Sequence, residues 1–167
     1  MIEQLDKGYL FTDIGVLEVT GTEHGIMSVT FVESVDTEAA CATSVVQQCI
    51  AELSQYFGGK RTRFSVLLNP GGTEFRGLVW HALRKIPFGR TKSYRDVAMA
   101  IDRPRSAHAV GGAVGHNPIA IIVPCHRVIG SDGSLTGYAG GLDRKRWLLE
   151  HERRVVAARG RALPAAD

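Results

Sequence analysis

Cysteine is scarce in this sequence, and long apolar runs are missing. The 167 residues include three cysteines, none in a CxxC pair, which argues against a disulfide framework and against a zinc finger. No apolar stretch approaches the roughly 20 residues of a membrane-spanning helix. The N-terminus carries acidic residues where a secretory signal would have basic ones. We therefore expect a cytoplasmic protein that makes no membrane contact.

Charge is distributed unevenly along the chain. Apolar residues make up 44% and charged residues 22% of the sequence, as in ordinary globular proteins. Residues 1–72 carry four Lys or Arg against nine Asp or Glu, a net charge of −5. Residues 73–167 carry sixteen against eight, a net charge of +8. The second part therefore favours contact with a polyanion such as nucleic acid, or it presents a solvated basic face.

The first 72 residues combine short strands with one long helix. Alternating β-branched residues and intervening turn residues predict strands, whereas apolar residues at steps of three and four predict a helix in which Cys41 and Cys49 are small buried residues. The strands are predicted at Tyr9–Thr12, Val16–Thr20, Ile26–Val32 and Phe64–Leu68, and the helix at Thr37–Phe57.

Residues 69–72, Asn-Pro-Gly-Gly, are the best linker candidate. They predict an N-terminal α/β structural domain over 1–72 and a mainly helical C-terminal domain over 73–167. A helix capped by Thr73 should end before Pro87, and a last helix is predicted over Asp143–Ala157.

Two short helices in the second part fit a helix-turn-helix motif. They are predicted over Ser93–Ile101 and Ser106–Val114, with Ser93 and Ser106 as N-caps. The second helix reads Ala-His-Ala-Val-Gly-Gly-Ala, so few side chains could read base edges. Its small residues suit either a minor-groove contact without sequence reading or close packing inside the core.

One cysteine has chemically suggestive neighbours. An apolar run over Ile119–Val123 ends at Pro124, and Cys125, His126 and Arg127 follow. A thiol needs a nearby base to react at neutral pH, and that base needs an orienting group. His126 and Glu152 are candidates for these roles, while a buried structural cysteine beside a surface histidine is the alternative.

A longer set of motifs resembles one family. The motifs are Asn117-Pro118, then Pro-Cys-His-Arg-Val-Ile-Gly over 124–130, Gly-Tyr-Ala-Gly-Gly over 137–141, Lys-Arg-Trp-Leu-Leu over 145–149 and His151-Glu152. Together they resemble the O6-alkylguanine-DNA alkyltransferases, the methylated-DNA–protein-cysteine methyltransferases. The resemblance covers about residues 73–153 strongly and residues 1–72 weakly.

The resemblance implies an α+β fold and a role for each matched residue. The N-terminal part would hold a small antiparallel, ribonuclease H-like sheet, and the C-terminal part the helix-turn-helix. Cys125 would accept the alkyl group, His126 would deprotonate it through a water, and Glu152 would hold the histidine. Asn117 would be a hinge, and Tyr94 would crowd the target phosphate and donate a proton to the leaving guanine.

Further residues are implied to bind the base and the DNA. Tyr138 and Ala139 would lie in the loop over the flipped base, backbone groups near Cys125 and Val128 would read its edge, and Lys145 would brace the loop. The implied DNA contacts are Tyr94, Arg95, Arg105, Ser106, Ala107, His108, Ala109, Val110, Gly111, Gly112 and Ala113. The partner would be double-stranded DNA, held in its minor groove without sequence specificity.

Two positions depart from the family pattern. His108 stands where the family usually has an arginine that fills the gap left by the flipped base, and Arg105 is a candidate substitute. Ala139 stands where some members have a serine. We expect no metal, because Cys41, Cys49 and His24 leave a structural tetrahedral site incomplete, and we expect no cofactor.

The resemblance implies a bacterial-like, cytoplasmic DNA-repair protein in which each molecule reacts only once. Candidate lesions are O6-alkylguanine and O4-alkylthymine. The protein would be a monomer, with clustering along DNA left open. The alternatives are a non-catalytic lesion sensor on the same fold and a cysteine hydrolase that turns over many times without DNA.

Overall fold

The N-terminal part is a three-stranded antiparallel sheet covered by one helix. In the computed structural model, which describes residues 3–39 and 43–162, the strands are joined in the order β1-β2-β3. Leu17 and Val19 of β2 and Val29 of β3 are fully buried beneath the helix. The elements are β1 (Asp6–Thr12), β2 (Gly15–Thr22), β3 (Gly25–Val32) and α1 (Ser44–Phe57).

Helix α1 begins later than the apolar periodicity predicts. Thr43 caps it by accepting a hydrogen bond from the Val46 amide, whereas residues 37 and 38 lie in a turn. The predicted start at Thr37 is therefore wrong, because a good N-cap defines the first turn more strongly than composition does. Cys49 is buried as predicted, and Cys41 lies outside the described residues.

The segment Phe64–Leu68 is not the predicted strand. The amides of Ser65 and Val66 donate to the carboxylate of Glu52, at 2.7 and 3.3 Å, instead of to a neighbouring strand. Leu68 alone forms a bridge, with Ile26 of β3. A buried acceptor on α1 has thus taken the hydrogen bonds that a strand would need.

The C-terminal part is mainly helical, as the motifs predict. Thr73 and Ser93 cap helices with their side chains, and Ser93 does so in a capping box with Asp96. Ser106 occupies the predicted N-cap position of its helix, but its side chain makes no capping hydrogen bond there. The elements are α2 (Glu74–Arg84), β4 (Lys92–Ser93), α3 (Tyr94–Ala100), α4 (Ala107–Gly115), β5 (Val128–Ile129) and α5 (Leu142–Ala162).

The two parts are joined by backbone hydrogen bonds and by ring contacts. Strand β3 uses its free edge to hold the second part, since Val29 N donates to Pro118 O at 2.9 Å and Ala120 N donates to Val29 O at 3.0 Å. Helices α1 and α5 meet where the Trp147 and His151 rings stack near Phe57. No helix in the described ranges is long and apolar enough to cross a membrane.

We predict that Glu52→Gln destabilises the fold, and that the effect is larger at neutral pH than at acidic pH. Burial alone would raise the pKa of Glu52, but hydrogen bonds from Gln48, Ser65 and Val66 outweigh it and hold the pKa below its ordinary value. The charged carboxylate therefore stabilises the fold at pH values above its ordinary pKa of 4.5. This stabilisation is lost as the pH falls through the lowered pKa of the folded protein. Losing the charge should lower the free energy of unfolding at pH 7 by about 1–3 kcal/mol.

Urea denaturation at pH 7 and at pH 3 measures this effect. Glu33→Gln is the matched control, because Glu33 is exposed. The deficit of Glu52→Gln should shrink at the lower pH. An equal loss for both variants at pH 7 would contradict the role assigned to the buried carboxylate.

Candidate active site

Cys125 begins a short 3-10 turn formed by residues 125–127, and it is 6% exposed. The preceding chain is sharply bent, since Ile121, a β-branched residue, has a φ of 72°. Such a conformation is costly and persists only where surrounding contacts enforce it. The predicted burial of the Ile119–Val123 run is confirmed, apart from the half-buried Ala120.

Asn117 supplies contacts that hold this bend. Its side-chain amide donates to Val123 O at 2.9 Å and to Ile119 O at 3.3 Å, and its side-chain oxygen accepts from Ile119 N at 3.0 Å. Burial raises the pKa of the Cys125 thiol, while a hydrogen bond from Asn117 and the charge of Lys145 oppose that effect in part. The site therefore keeps Cys125 as a thiol until a base removes its proton.

His126 is completely buried and is hydrogen-bonded to Glu152. The distance from His126 Nε2 to Glu152 Oε2 is 3.0 Å. Burial lowers the pKa of His126, and Glu152 opposes this only in part, so the ring is neutral at pH 7. A neutral ring that donates through Nε2 to a carboxylate has its lone pair on Nδ1. His126 Nδ1 has no hydrogen-bond partner among the described residues, so it is the nitrogen able to accept a proton.

Arg127 is a site residue that the sequence reading did not single out. Its guanidinium pairs with both carboxylate oxygens of Glu152, with Nε 2.7 Å from Oε1, and its Nη1 donates to Ile86 O at 2.8 Å. Burial alone would raise the pKa of Glu152, but His126 and Arg127 outweigh it and hold the pKa below its ordinary value. The sequence does contain a feature that points to Arg127, because a charged residue directly follows the Cys125-His126 pair at the end of a buried apolar run.

The loop over residues 130–141 lies beside Cys125. Lys145, fully buried, donates from Nζ to Val128 O at 2.6 Å and to Thr136 O at 2.7 Å. The Tyr138 hydroxyl is buried and has no partner in the described chain. Burial raises the pKa of Tyr138, and the charge of Cys125 raises it further, so the two side chains lie within electrostatic range of each other. Ala139 is exposed.

Tyr94 connects the helix-turn-helix to this loop. The Thr136 hydroxyl donates to the Tyr94 hydroxyl at 3.1 Å, and the Tyr94 ring lies against Gly111 of α4, where a Cβ would be 3.8 Å away. Strand β4 pairs with β5, so the start of α3 lies beside the residues that follow the Cys125 turn. The predicted set Tyr94, Cys125 and Tyr138 thus belongs to one region.

The predicted DNA contacts divide into exposed and buried groups. Val110 and Ala113, two of the predicted contacts, are 0% and 3% exposed, and their side chains pack in the core rather than on the surface. The half-buried residues are Tyr94, Ser106, Ala107 and Gly111, and the exposed ones are Arg95, Arg105, His108, Ala109 and Gly112.

Comparison with known proteins agrees with this geometry. A family model described as the DNA binding domain of 6-O-methylguanine DNA methyltransferase matches residues 74–160. A second model, for the ribonuclease-like domain of the same family, matches residues 5–70. The chain belongs to the O6-methylguanine-DNA methyltransferase family. The α+β fold class, with its small antiparallel sheet, is confirmed as well.

Individual methyltransferases of this family match over much of the chain. A methylated-DNA–protein-cysteine methyltransferase from Methanosarcina barkeri is 43% identical over 83% of this chain and 91% of its own length. One from Mycolicibacterium paratuberculosis is 56% identical over 63% of this chain, and the match spans only 64% of that relative. The Mycobacterium tuberculosis O6-methylguanine methyltransferase structure has a TM-score of 0.83 at 40% identity, covering 98% of this chain and 97% of its own. A structure of the M. tuberculosis protein in complex with DNA has a TM-score of 0.80 at 44% identity, covering 88% and 92%.

We predict that Arg127→Met strongly destabilises this methyltransferase fold. Removing one partner of a buried ion pair leaves an uncompensated charge, at a cost of about 3–5 kcal/mol. Arg146→Met is the control, because Arg146 is exposed and its ion pair with Asp143 is 3.4 Å long, and such pairs contribute about 0–1 kcal/mol. Urea denaturation of both variants measures the difference. A loss below about 1 kcal/mol for Arg127→Met would contradict the argument.

Proposed function

We propose that this chain repairs O6-alkylguanine in double-stranded DNA by transferring the alkyl group irreversibly to Sγ of Cys125. The observation that carries the proposal is the buried, hydrogen-bonded set of His126, Glu152 and Arg127, in which His126 directly follows Cys125 in the chain. It supplies a base and an orienting group for one thiol. Family membership and the DNA-bound relative support the choice of substrate.

His126 acts as the base in the proposed reaction. Nδ1 accepts the thiol proton through a water, and Glu152 stabilises the imidazolium that forms. The thiolate attacks the alkyl carbon, a carbon–sulfur bond forms, and the bond from that carbon to guanine O6 breaks. The electron pair remains on O6, and the guanine takes a proton from the Tyr94 hydroxyl. The product is a thioether, a poor leaving group, so each molecule acts once.

The base must leave the duplex before it can react, because O6 cannot be reached within a stacked helix. We propose that α4 enters the minor groove with its exposed small residues and that His108 and Arg105 lie nearest the gap. Arg95 and Arg105 are exposed and suited to phosphate contact. Tyr138 and Ala139 cover the extruded base, and backbone groups near Val128 read its edge. Docking needs no sequence reading and no second copy of the chain.

We also propose a division of labour between the two parts. Residues 1–72 form a structural domain, and residues 73–167 carry the DNA contacts and the acceptor. The reaction uses only groups of the protein and the DNA. O4-alkylthymine is a second candidate lesion, because it offers the same alkyl–oxygen chemistry.

We predict that duplex DNA carrying one O6-methylguanine adds one methyl group to Cys125. Intact mass followed by peptide mapping measures the gain, which should stop at one equivalent. Cys125→Ala should gain no mass but should still bind the duplex, because docking does not use the sulfur. The matched control Cys49→Ala should react, since burial raises the pKa of Cys49 to about 12 and leaves it unreactive.

Other outcomes identify the alternatives. Lesion binding without mass gain would favour a sensor. Repeated turnover of a small ester without DNA would favour a cysteine hydrolase. Either result would contradict the proposal.

We predict that the transfer rate remains constant from pH 8 through pH 6.5 and falls only in more acidic solution. Burial holds the pKa of His126 below its ordinary value of 6.5, so the neutral form persists below that pH. Single-turnover rates measured between pH 5 and pH 8 test this, with circular dichroism as a check on folding. A rate that halves at or above pH 6.5 would contradict His126 as a buried neutral base.

A further inference from the structure

We infer that Arg144 and Phe31 are positioning residues that hold the end of the 130–141 loop, so that the N-terminal sheet helps to set the rate of alkyl transfer. Neither residue belongs to the hydrogen-bonded set of His126, Glu152 and Arg127. The inference rests on the proposed function, because it assigns the loop a role in that reaction. It gives residues of the N-terminal part a role in a site whose reacting groups all lie in the C-terminal part.

Arg144 connects the two parts through backbone carbonyls. Its Nε donates to Ile14 O at 2.7 Å, in the turn between β1 and β2, and its Nη1 donates to Gly140 O at 3.1 Å. The guanidinium is a rigid planar fork, so one side chain can hold two acceptors in a defined relation. The loop end is therefore tied to a turn 126 residues earlier in the chain.

Phe31 supplies the surface on which this guanidinium lies. The Arg144 Cζ atom is 4.4 Å from the centre of the Phe31 ring, which is within the range of a cation–π interaction. Phe31 is half-buried near the end of β3. The sheet thus contributes both a carbonyl and an aromatic face to one arginine of α5.

Two glycines leave the space that this arrangement occupies. A Cβ on Gly15 would lie 2.7 Å from Arg144 Nη2, and the φ of Gly15 is +125°. A Cβ on Gly140 would lie 2.8 Å from Tyr138 Cε1 and 3.1 Å from Phe31 Cδ2. The loop end is therefore packed closely between the Phe31 ring and the Tyr138 ring, and a displacement of one is transmitted to the other.

Adjacent residues of α5 hold the loop at two points. Lys145, on the buried side, binds Thr136 O, while Arg144, on the half-buried side, binds Gly140 O. Tyr138 lies between these two points, and the charges of Cys125 and Arg144 both act on it. Because the loop is held at both points, the Tyr138 ring is fixed before the alkylated nucleobase enters the site. Less conformational ordering is then required for the reaction.

The test separates transfer rate from DNA affinity. Wild type, Arg144→Ala, Arg144→Lys and Phe31→Leu are mixed with increasing duplex carrying O6-methylguanine, and the limiting rate and the half-saturating concentration are measured. We expect Arg144→Ala to lower the limiting rate at least about fivefold, with less than about twofold change in half-saturation. Phe31→Leu should lower the limiting rate less, and Arg144→Lys should recover only part of it, because lysine lacks the planar fork.

Hydrogen exchange supplies a second readout. Arg144→Ala should exchange faster in peptides over 134–141 and over 12–15, with unchanged exchange in α1 and α4. Arg146→Ala is the control on the same helix, since Arg146 is exposed and its ion pair is with Asp143; its rate and exchange should match wild type. If Arg144→Ala does not fold, Arg144→Lys and Phe31→Leu decide the question.

Three outcomes would overturn the inference. The first is a set of variants that match wild type in rate and exchange. The second is a defect in half-saturation alone that Arg144→Lys fully repairs, which would indicate a phosphate contact. The third is accelerated exchange across the whole chain, which would indicate general destabilisation. A wild-type protein that transfers no methyl group would instead refute the proposed function itself.

Discussion

The buried carboxylate of Glu152 is the group on which the rest of the site depends. An unpaired charge inside the protein would cost several kcal/mol, and here His126 and Arg127 both satisfy it. The same carboxylate fixes which imidazole nitrogen carries the proton and fastens the turn after Cys125 to α5. Orientation of the His126 ring and attachment of the turn therefore come from one carboxylate.

The N-terminal sheet supports this arrangement from the other side. The edge of β3 binds the backbone around Pro118 and Ala120, directly before the strained Ile121. Edge strands carry unpaired backbone groups that favour association with other chains, and here that edge is used inside the molecule. The bend that presents Cys125 thus rests on both the Asn117 side chain and a sheet more than 80 residues away in sequence.

The helix-turn-helix contains both packing surface and exposed surface. In α4, Val110 and Ala113 face the core, and Trp80 donates to Ala113 O at 2.9 Å, whereas His108 and Ala109 are exposed. Core packing therefore accounts for the small residues on one face, and the exposed face is the one that the proposed minor-groove contact would use. A short helix with one apolar face leaves few positions for base contacts, which suits docking that does not depend on sequence.

The sequence by itself determined the three strands of the N-terminal sheet, most helix caps and the Cys125-His126 motif, because turn residues, periodicity and caps act over a few neighbours. It could not determine that Phe64–Leu68 donates to Glu52, that Arg127 pairs with Glu152, or that Arg144 spans from Ile14 to Gly140. These contacts join residues 13, 25 and up to 130 positions apart. Only tertiary packing decides such pairings. A polar or charged group that is removed from water needs a hydrogen-bond partner, and the fold determines which partner lies within reach.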